Sequence, residues 1–220
     1  STEEDPFEKE HGISNIVAFI KKVIPKAKFV PLIIKDTISE NEIARLIDGL
    51  QENLSSDSLI IGSFDFSHYL PSAAADFHDK KSNAILNILD YKKEDPLDID
   101  SRPGLEILLK IIKMLGAKSF NLLGATNSAK ILKDDDTAEN TSYITGVFTS
   151  EEKEIEQTAT ALIFGDLMLD RYVRTTIQKR GLEYIFANME RFFIGSDLVL
   201  TNLEGSFTDF APNSDPNSLK

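Results

Sequence analysis

The sequence contains no cysteine, which excludes thiolate catalysis, disulfides and cysteine-ligated zinc. It leaves the compartment undecided, because nothing in the chain then depends on redox state. Histidine is scarce too: His11, His68 and His78 are the only three in 220 residues. No apolar run approaches the ~20 residues of a membrane span, and no secretory leader is recognisable. The chain opens on Ser1 and runs straight through an acidic lead into patterned sequence, so its natural start is expected upstream. Basic charge is also short. Lys and Arg number 24 against 36 Asp and Glu, a formal net charge of −12. Such a surface repels phosphate backbones and argues against nucleic acid as a partner, while it suits divalent cations.

What is present suffices for a folded chain. Hydrophobic residues make up 41%, enough for a packed core, and 220 residues accommodate one large domain or two modest ones. Ile13, Ile16, Val17, Ile20 and Ile24 recur at helical spacing. Residues 28–34 read as a buried strand, with Pro31 tolerated only where no ladder hydrogen bond is needed. Ser39 with Glu42 is a capping box that opens a helix running to about Leu54. Residues 57–62 are a second apolar strand, entering the polar, aromatic loop 63–71. Residues 73–89 look helical, and Leu105, Leu108, Leu109 and Ile112 mark another helix that stops near Gly116. Residues 119–124 and 141–149 read as strands. The polar stretch between them, with Asp134, Asp135 and Asp136, reads as a solvated loop.

Residues 150–157 are charged and poor in apolar side chains, so the domain boundary is placed there, between 1–150 and 158–220. Alternation then restarts: a strand over 159–164, a helix over 172–193 and a strand over 197–201. No internal repeat appears. The order predicts an α/β fold, with a mostly parallel sheet and helices on both faces in the first part, then a separate βαβ unit.

Two segments of the first part are rich in chemistry. Glu10-His11-Gly12 lies at a helix entry, and SFDFSHY (63–69) follows an apolar strand. Loops at the C-terminal ends of parallel strands are where open α/β sheets build their sites. Asp65 and His68, three apart, then point into one crevice, where a carboxylate fixes a histidine's tautomer and raises its basicity. The plainer alternative is that His68 only pins the loop through Asp65 and that His11 is a surface residue. His78, between Asp76 and Asp79 on a predicted helix, reads as solvent-facing.

These segments resemble the Memo family, called AmmeMemoRadiSam system protein B in bacteria. SFDFSHY is similar to its SSDFSHY, EHGIS to its EHSIE, and the order of elements over residues 8–149 fits the C-terminal half of that domain. The resemblance implies the fold of the LigB-type extradiol dioxygenases. It also implies a non-haem metal held by two histidines and a cysteine, with an Asp and a His nearby. On that basis His11 matches the second ligand histidine, and Asp65 and His68 match the nearby catalytic pair. The family's N-terminal half, with its PHAGY-like segment and first ligand histidine, has no counterpart. A gap-free match puts Asp100 where the family carries its cysteine. Aspartate ligates hard metals but offers no thiolate.

In the second part an apolar strand ends at Gly165-Asp166, and a later one leads into Thr201-Asn202-Leu203-Glu204-Gly205. A βαβ connection brings Asp166, Asn202 and Glu204 to one sheet edge, where oxygen donors suit a hard cation. The alternative is an ordinary βαβ unit whose acidic turns are merely polar. GDLMLDRYV and SDLVLTNLEGSFTD resemble the GDxMLxR and ADLVxxNLEGPxT segments of the CapA or PGA-cap family, tied to capsular poly-γ-glutamate synthesis. That resemblance covers residues 159–212 and implies the start of a calcineurin-like metallophosphoesterase domain. It makes Asp166 the first-strand metal aspartate, Asn202 and Glu204 further ligands, and Arg171 an anion-binding arginine. The family's later histidine-bearing loops have no counterpart. The implied cofactor is a divalent metal (Mn²⁺, Mg²⁺ or Fe²⁺) with an incomplete ligand set.

Two readings follow. In one, the chain is a fragment of a bacterial Memo-like/CapA-like fusion acting in capsule, poly-γ-glutamate or other envelope-polymer synthesis. Its metal-dependent, phosphoesterase-like hydrolase part would then be active and its Memo-like part inactive. In the other, the Memo-like part is a non-catalytic binding module that has lost its metal. The substrate, small molecule or polymer, stays open. The Memo resemblance points to the cytoplasm and the CapA resemblance to the cell envelope.

Overall fold

The computed structural model describes residues 7, 10–93, 95, 97–134, 137, 140–155 and 157–205. Asp135 and Asp136 of the predicted polar loop, and the Ser206 to Asp209 end of the second motif, lie outside them.

Helix α1 (His11–Val23) begins where the Glu10 carboxylate accepts the Gly12 amide at 3.1 Å. Its stripe of Ile13, Ile16, Val17 and Ile20 is half-buried, whereas Phe19 and Val23 are exposed. Helix α2 (Glu40–Asn53) opens on the capping box. Ser39 Oγ accepts the Glu42 amide, and Glu42 Oε2 accepts the Ser39 amide at 2.8 Å. Helix α3 (Ser72–Ile88) follows the loop after Gly62. Helix α4 (Arg102–Met114) starts at Ser101, whose Oγ accepts the Gly104 amide, and the chain turns away at Gly116 with a φ of +89°.

The core is built on both sides of α4. On one side Ile107 and Ile111 pack against Ile43 and Ile47 of α2. On the other, Leu105, Leu108, Leu109 and Ile112 pack with Phe66, Ile85, Leu86 and Phe120. Each such side chain contributes about 1.5–3 kcal/mol when taken fully out of water. This burial fixes α4 as the post around which the site loop is hung.

Strand β1 (Ser119–Asn127) leads through the short helix α5 (Ser128–Leu132) to strand β2 (Ser142–Thr149). They pair antiparallel, Phe120 opposite Phe148 and Asn127 opposite Ser142, with a bulge between Leu122 and Gly124. Gly146 passes so close to Phe120 that a Cβ there would overlap the ring. The mostly parallel sheet expected for the first part is therefore corrected: its described residues hold a two-stranded antiparallel sheet. Residues 28–34 and 57–62, read as strands, pair with no strand among the described residues. Pro31 has no amide to donate. The second segment diverges from β2. Phe66 N to Ser142 O (3.2 Å), Ser142 N to Ser67 O (2.9 Å) and Tyr69 N to Asn140 O (2.8 Å) hold the loop to β2's start, and the pairing stops there. The divergence leaves a groove of about 810 Å³, floored by Leu105, Leu108, Ile112 and Phe120.

The second part holds strand β3 (Ala161–Leu167), helices α6 (Arg171–Arg180), α7 (Glu183–Phe186) and α8 (Glu190–Phe193), and strand β4 (Leu198–Leu203). β3 and β4 pair in parallel and share no strand with the first sheet. The single helix expected over 172–193 is corrected to three pieces, because Gly181 ends α6 with a φ of +88°. The architecture is mixed α/β throughout. Among the described residues no helix is long and apolar enough to cross a membrane.

Candidate functional site

The loop after Gly62 is anchored by its buried members. Phe66 is 4% exposed, Ser67 is fully buried and Leu70 is 2% exposed, while Asp65 and His68 keep access to solvent. His68 Nε2 stands 3.5 Å from Asp65 Oδ2, the range of an ion pair rather than of a tight hydrogen bond. Asp100 joins them: its amide donates to the Asp65 carbonyl at 3.0 Å. Burial pushes the Asp100 carboxyl up and the Asp65 charge adds to this. The amides of Asp65 and Ser101 and the nearby His68 oppose it, and the balance stays upward. A carboxyl whose proton affinity is raised by burial, within the electrostatic reach of an imidazole, is a candidate for proton transfer.

His11 sits on exposed surface at the start of α1. The helix start nevertheless packs on the site loop, since a Cβ at Gly12 would lie 3.0 Å from Ser63 Oγ. The structure thus brings Asp65, His68 and Asp100 together, with the His11 segment at the loop's entry. Among the described residues no three His, Cys, Asp or Glu side chains converge closely enough to hold a metal ion.

In the second part Asp166 and Asn202 are register partners across β3 and β4, and Asn202 Nδ2 donates to Asp166 Oδ1 at 2.6 Å. Glu204 N donates to the Leu167 carbonyl at 3.1 Å, so Glu204 leaves the sheet at the same edge. Turning the Asn202 amide over would put its oxygen beside the carboxylate, a donor pair that fits one hard cation. Arg171 opens α6 with a φ of +57°, its amide received by Asp170 Oδ1 at 2.6 Å.

His78 corrects the sequence expectation. It is 1% exposed, not solvent-facing, with Nδ1 3.1 Å from Asp98 Oδ2. The signal was present: Ala75, His78, Ser82 and Ile85 fall on one helical face. Gly195, with a φ of +81°, packs on the His78 ring, and Lys81 pairs with Asp197. These contacts seat the second part on α3.

The family model described as Memo-like protein matches residues 1–147. The chain belongs to the Memo family. A MEMO1 family protein of Methanococcus maripaludis is 29% identical over 140 residues, covering 57% of this chain and 49% of the relative. One from Methanococcus vannielii is 28% identical over 141 residues, covering 57% and 49%. One from Aquifex aeolicus is 31% identical over 134 residues, covering 53% and 35%. The chain spans about half the length, or less, of these curated relatives. No solved structure matches it. The family match takes in the whole Asp65–His68–Asp100 loop cluster and ends before β3.

Proposed function

We propose that this Memo-family chain couples its Memo-like part, residues 1–150, to the start of a CapA-like, metal-dependent phosphoesterase domain, residues 158–220. Its substrate class is an anionic envelope polymer, such as poly-γ-glutamate or a capsule precursor. The observation that carries this reading is the Asp166–Asn202 contact across a parallel strand pair, with Glu204 leaving at the same edge. In this reading Asp166, Asn202 and Glu204 would hold a divalent cation together with water, and Arg171 would bind an anionic group of the substrate. The cation, when bound, supplies Lewis-acid activation of water at neutral pH. The chain's own part is to present the oxygen donors from two rigid strand ends. Mn²⁺ titration of the purified chain by calorimetry tests the reading. Asp166→Ala should weaken binding at least about tenfold, and Asp65→Ala should leave it unchanged. Equal binding by Asp166→Ala and the parent would reject it.

A second reading has its own support. Asp100 stands at the position matched to the family cysteine, which removes the thiolate ligand that the resemblance implies. The Memo-like part then acts as a binding module. With Fe²⁺ and a catechol the chain is expected to give no ring cleavage, and turnover with stoichiometric iron would overturn this reading.

A further inference from the structure

Arg191 belongs to α8 in the second part, yet its side chain ends on the loop that carries His68. Its Nη1 donates to the His68 carbonyl at 3.1 Å, and its guanidinium carbon lies 5.2 Å from the Tyr69 ring centroid. Both contacts fall on one strained turn. Tyr69 has a φ of +55°, a conformation that a bulky side chain adopts only when its surroundings hold it there. On the inner side that hold is the Tyr69 amide bond to the Asn140 carbonyl at 2.8 Å. On the outer side it is Arg191, which donates to the preceding carbonyl and covers the ring. The Tyr69 ring in turn lies 5.8 Å from the His68 ring, tilted by 39°. Arg191 is itself anchored. The segment after it packs Gly195 on buried His78, joins Lys81 through Asp197 and receives the Thr160 hydroxyl at the Gly195 carbonyl at 2.9 Å.

We propose that Arg191 is a positioning residue for the Asp65–His68–Asp100 cluster, supplied by the second part of the chain. It fixes the Tyr69 turn and, through the ring and the His68 carbonyl, the direction of the His68 imidazole. The second part thereby completes the loop of the first, which makes the two parts one working unit. The inference rests on reading the 63–70 loop as the functional site of the Memo-like part. Its test therefore reads imidazole geometry rather than turnover.

The experiment is NMR of the full chain with ¹³C,¹⁵N-labelled histidine, where three histidines give three separable imidazole signals. Arg191→Ala should shift and broaden the His68 signals while those of His11 stay in place. Arg191→Lys retains a cation and a donor and should recover part of the parent His68 position. Arg174→Ala, which removes a surface ion pair with Asp170 on α6, should leave all three signals unchanged. A parent-like His68 signal in Arg191→Ala overturns the proposal, whatever the Mn²⁺ titration shows. If Arg191→Ala displaces His78 as well as His68, the second part has come off α3, and the Arg191→Lys variant decides. Recovery of His68 with His78 in place supports the proposal, and no recovery overturns it.

Discussion

Ser142 Oγ donates to Asp79 Oδ1 at 2.7 Å, and Ser67 Oγ reaches the same oxygen at 3.2 Å. One carboxylate thus ties α3 to the start of β2 and to the site loop. Burial pushes the Asp79 carboxyl up, the two hydroxyls pull it down, and the charges of Asp76 and Asp98 push it up again; the balance is upward. For an acid whose folded pKa exceeds its unfolded one, the penalty is absent below the unfolded value. It grows as pH rises through the folded value and then stays constant. Asp79→Asn keeps an oxygen for the hydroxyls and cannot ionise. The variant should therefore gain stability relative to the parent as pH rises from about 4 to about 7. Denaturant unfolding at both pH values checks this, and an unchanged difference would count against it.

Two glycines should respond with opposite signs. A Cβ at Gly146 would overlap the Phe120 ring and lie 2.7 Å from the Asn121 carbonyl. Gly146→Ala should destabilise by about 1–3 kcal/mol through overpacking. Gly49 lies inside α2, and a methyl added there would meet nothing within 4 Å. Gly49→Ala should stabilise by about 0.5–1 kcal/mol, because alanine loses less backbone freedom in a helix. Midpoints of urea unfolding measure both.

Leu105 is 1% exposed in the core cluster that includes Phe66 and Phe120, and Leu123 on β1 is 68% exposed. Leu105→Ala should cost about 2–5 kcal/mol, the transfer loss plus the cavity it leaves. Leu123→Ala should change stability by less than about 0.5 kcal/mol. Similar losses for the two would mean that the core is not where the packing puts it.

Lys81 holds Asp197, whose second oxygen takes the Thr160 amide at 2.7 Å and the Thr160 hydroxyl at 3.0 Å. Burial pushes the Asp197 carboxyl up, but the hydrogen bonds from Lys81 and Thr160 outweigh it and hold it below the usual range. A depressed acid stabilises above its unfolded pKa, and that contribution is lost as pH falls through the folded one. Lys81→Met should lower amide-exchange protection in residues 161–167 and 198–203 at neutral pH, leaving α4 unaffected. The gap between parent and variant should close as the pH falls through the lowered Asp197 pKa.

Much of this was legible in the sequence, because local signals coincide with tertiary demand. The Ser39–Glu42 box, the Leu105–Ile112 stripe and the Gly116 stop each state their own conformation, and each is found as read. Strand direction is not local. Residues 119–127 and 142–149 read equally well as parallel or antiparallel, and only the short return through α5 and the following loop decides. Residues 28–34 and 57–62 have strand composition without a strand partner, which no single segment can announce. The loop cluster was half-visible: SFDFSHY supplied Asp65 and His68 and a match supplied Asp100, but nothing near them in sequence pointed to Arg191. Its contact with His68 spans 123 positions and depends on how the second part seats on α3.

The groove between residues 57–62 and β2 has an expected consequence for the chain in concentrated solution. Among the described residues the edge of β2 away from β1, beyond Ser142, has no strand partner, and beside exposed Leu59, Ile61 and Val147 such an edge can template pairing with another copy. The net charge of −12 keeps copies apart in dilute buffer. That repulsion fades beyond about 10 Å at 0.1 M salt, whereas apolar association does not. Raising the ionic strength of a concentrated solution of this chain should therefore favour edge-to-edge association, read as a rise in light scattering.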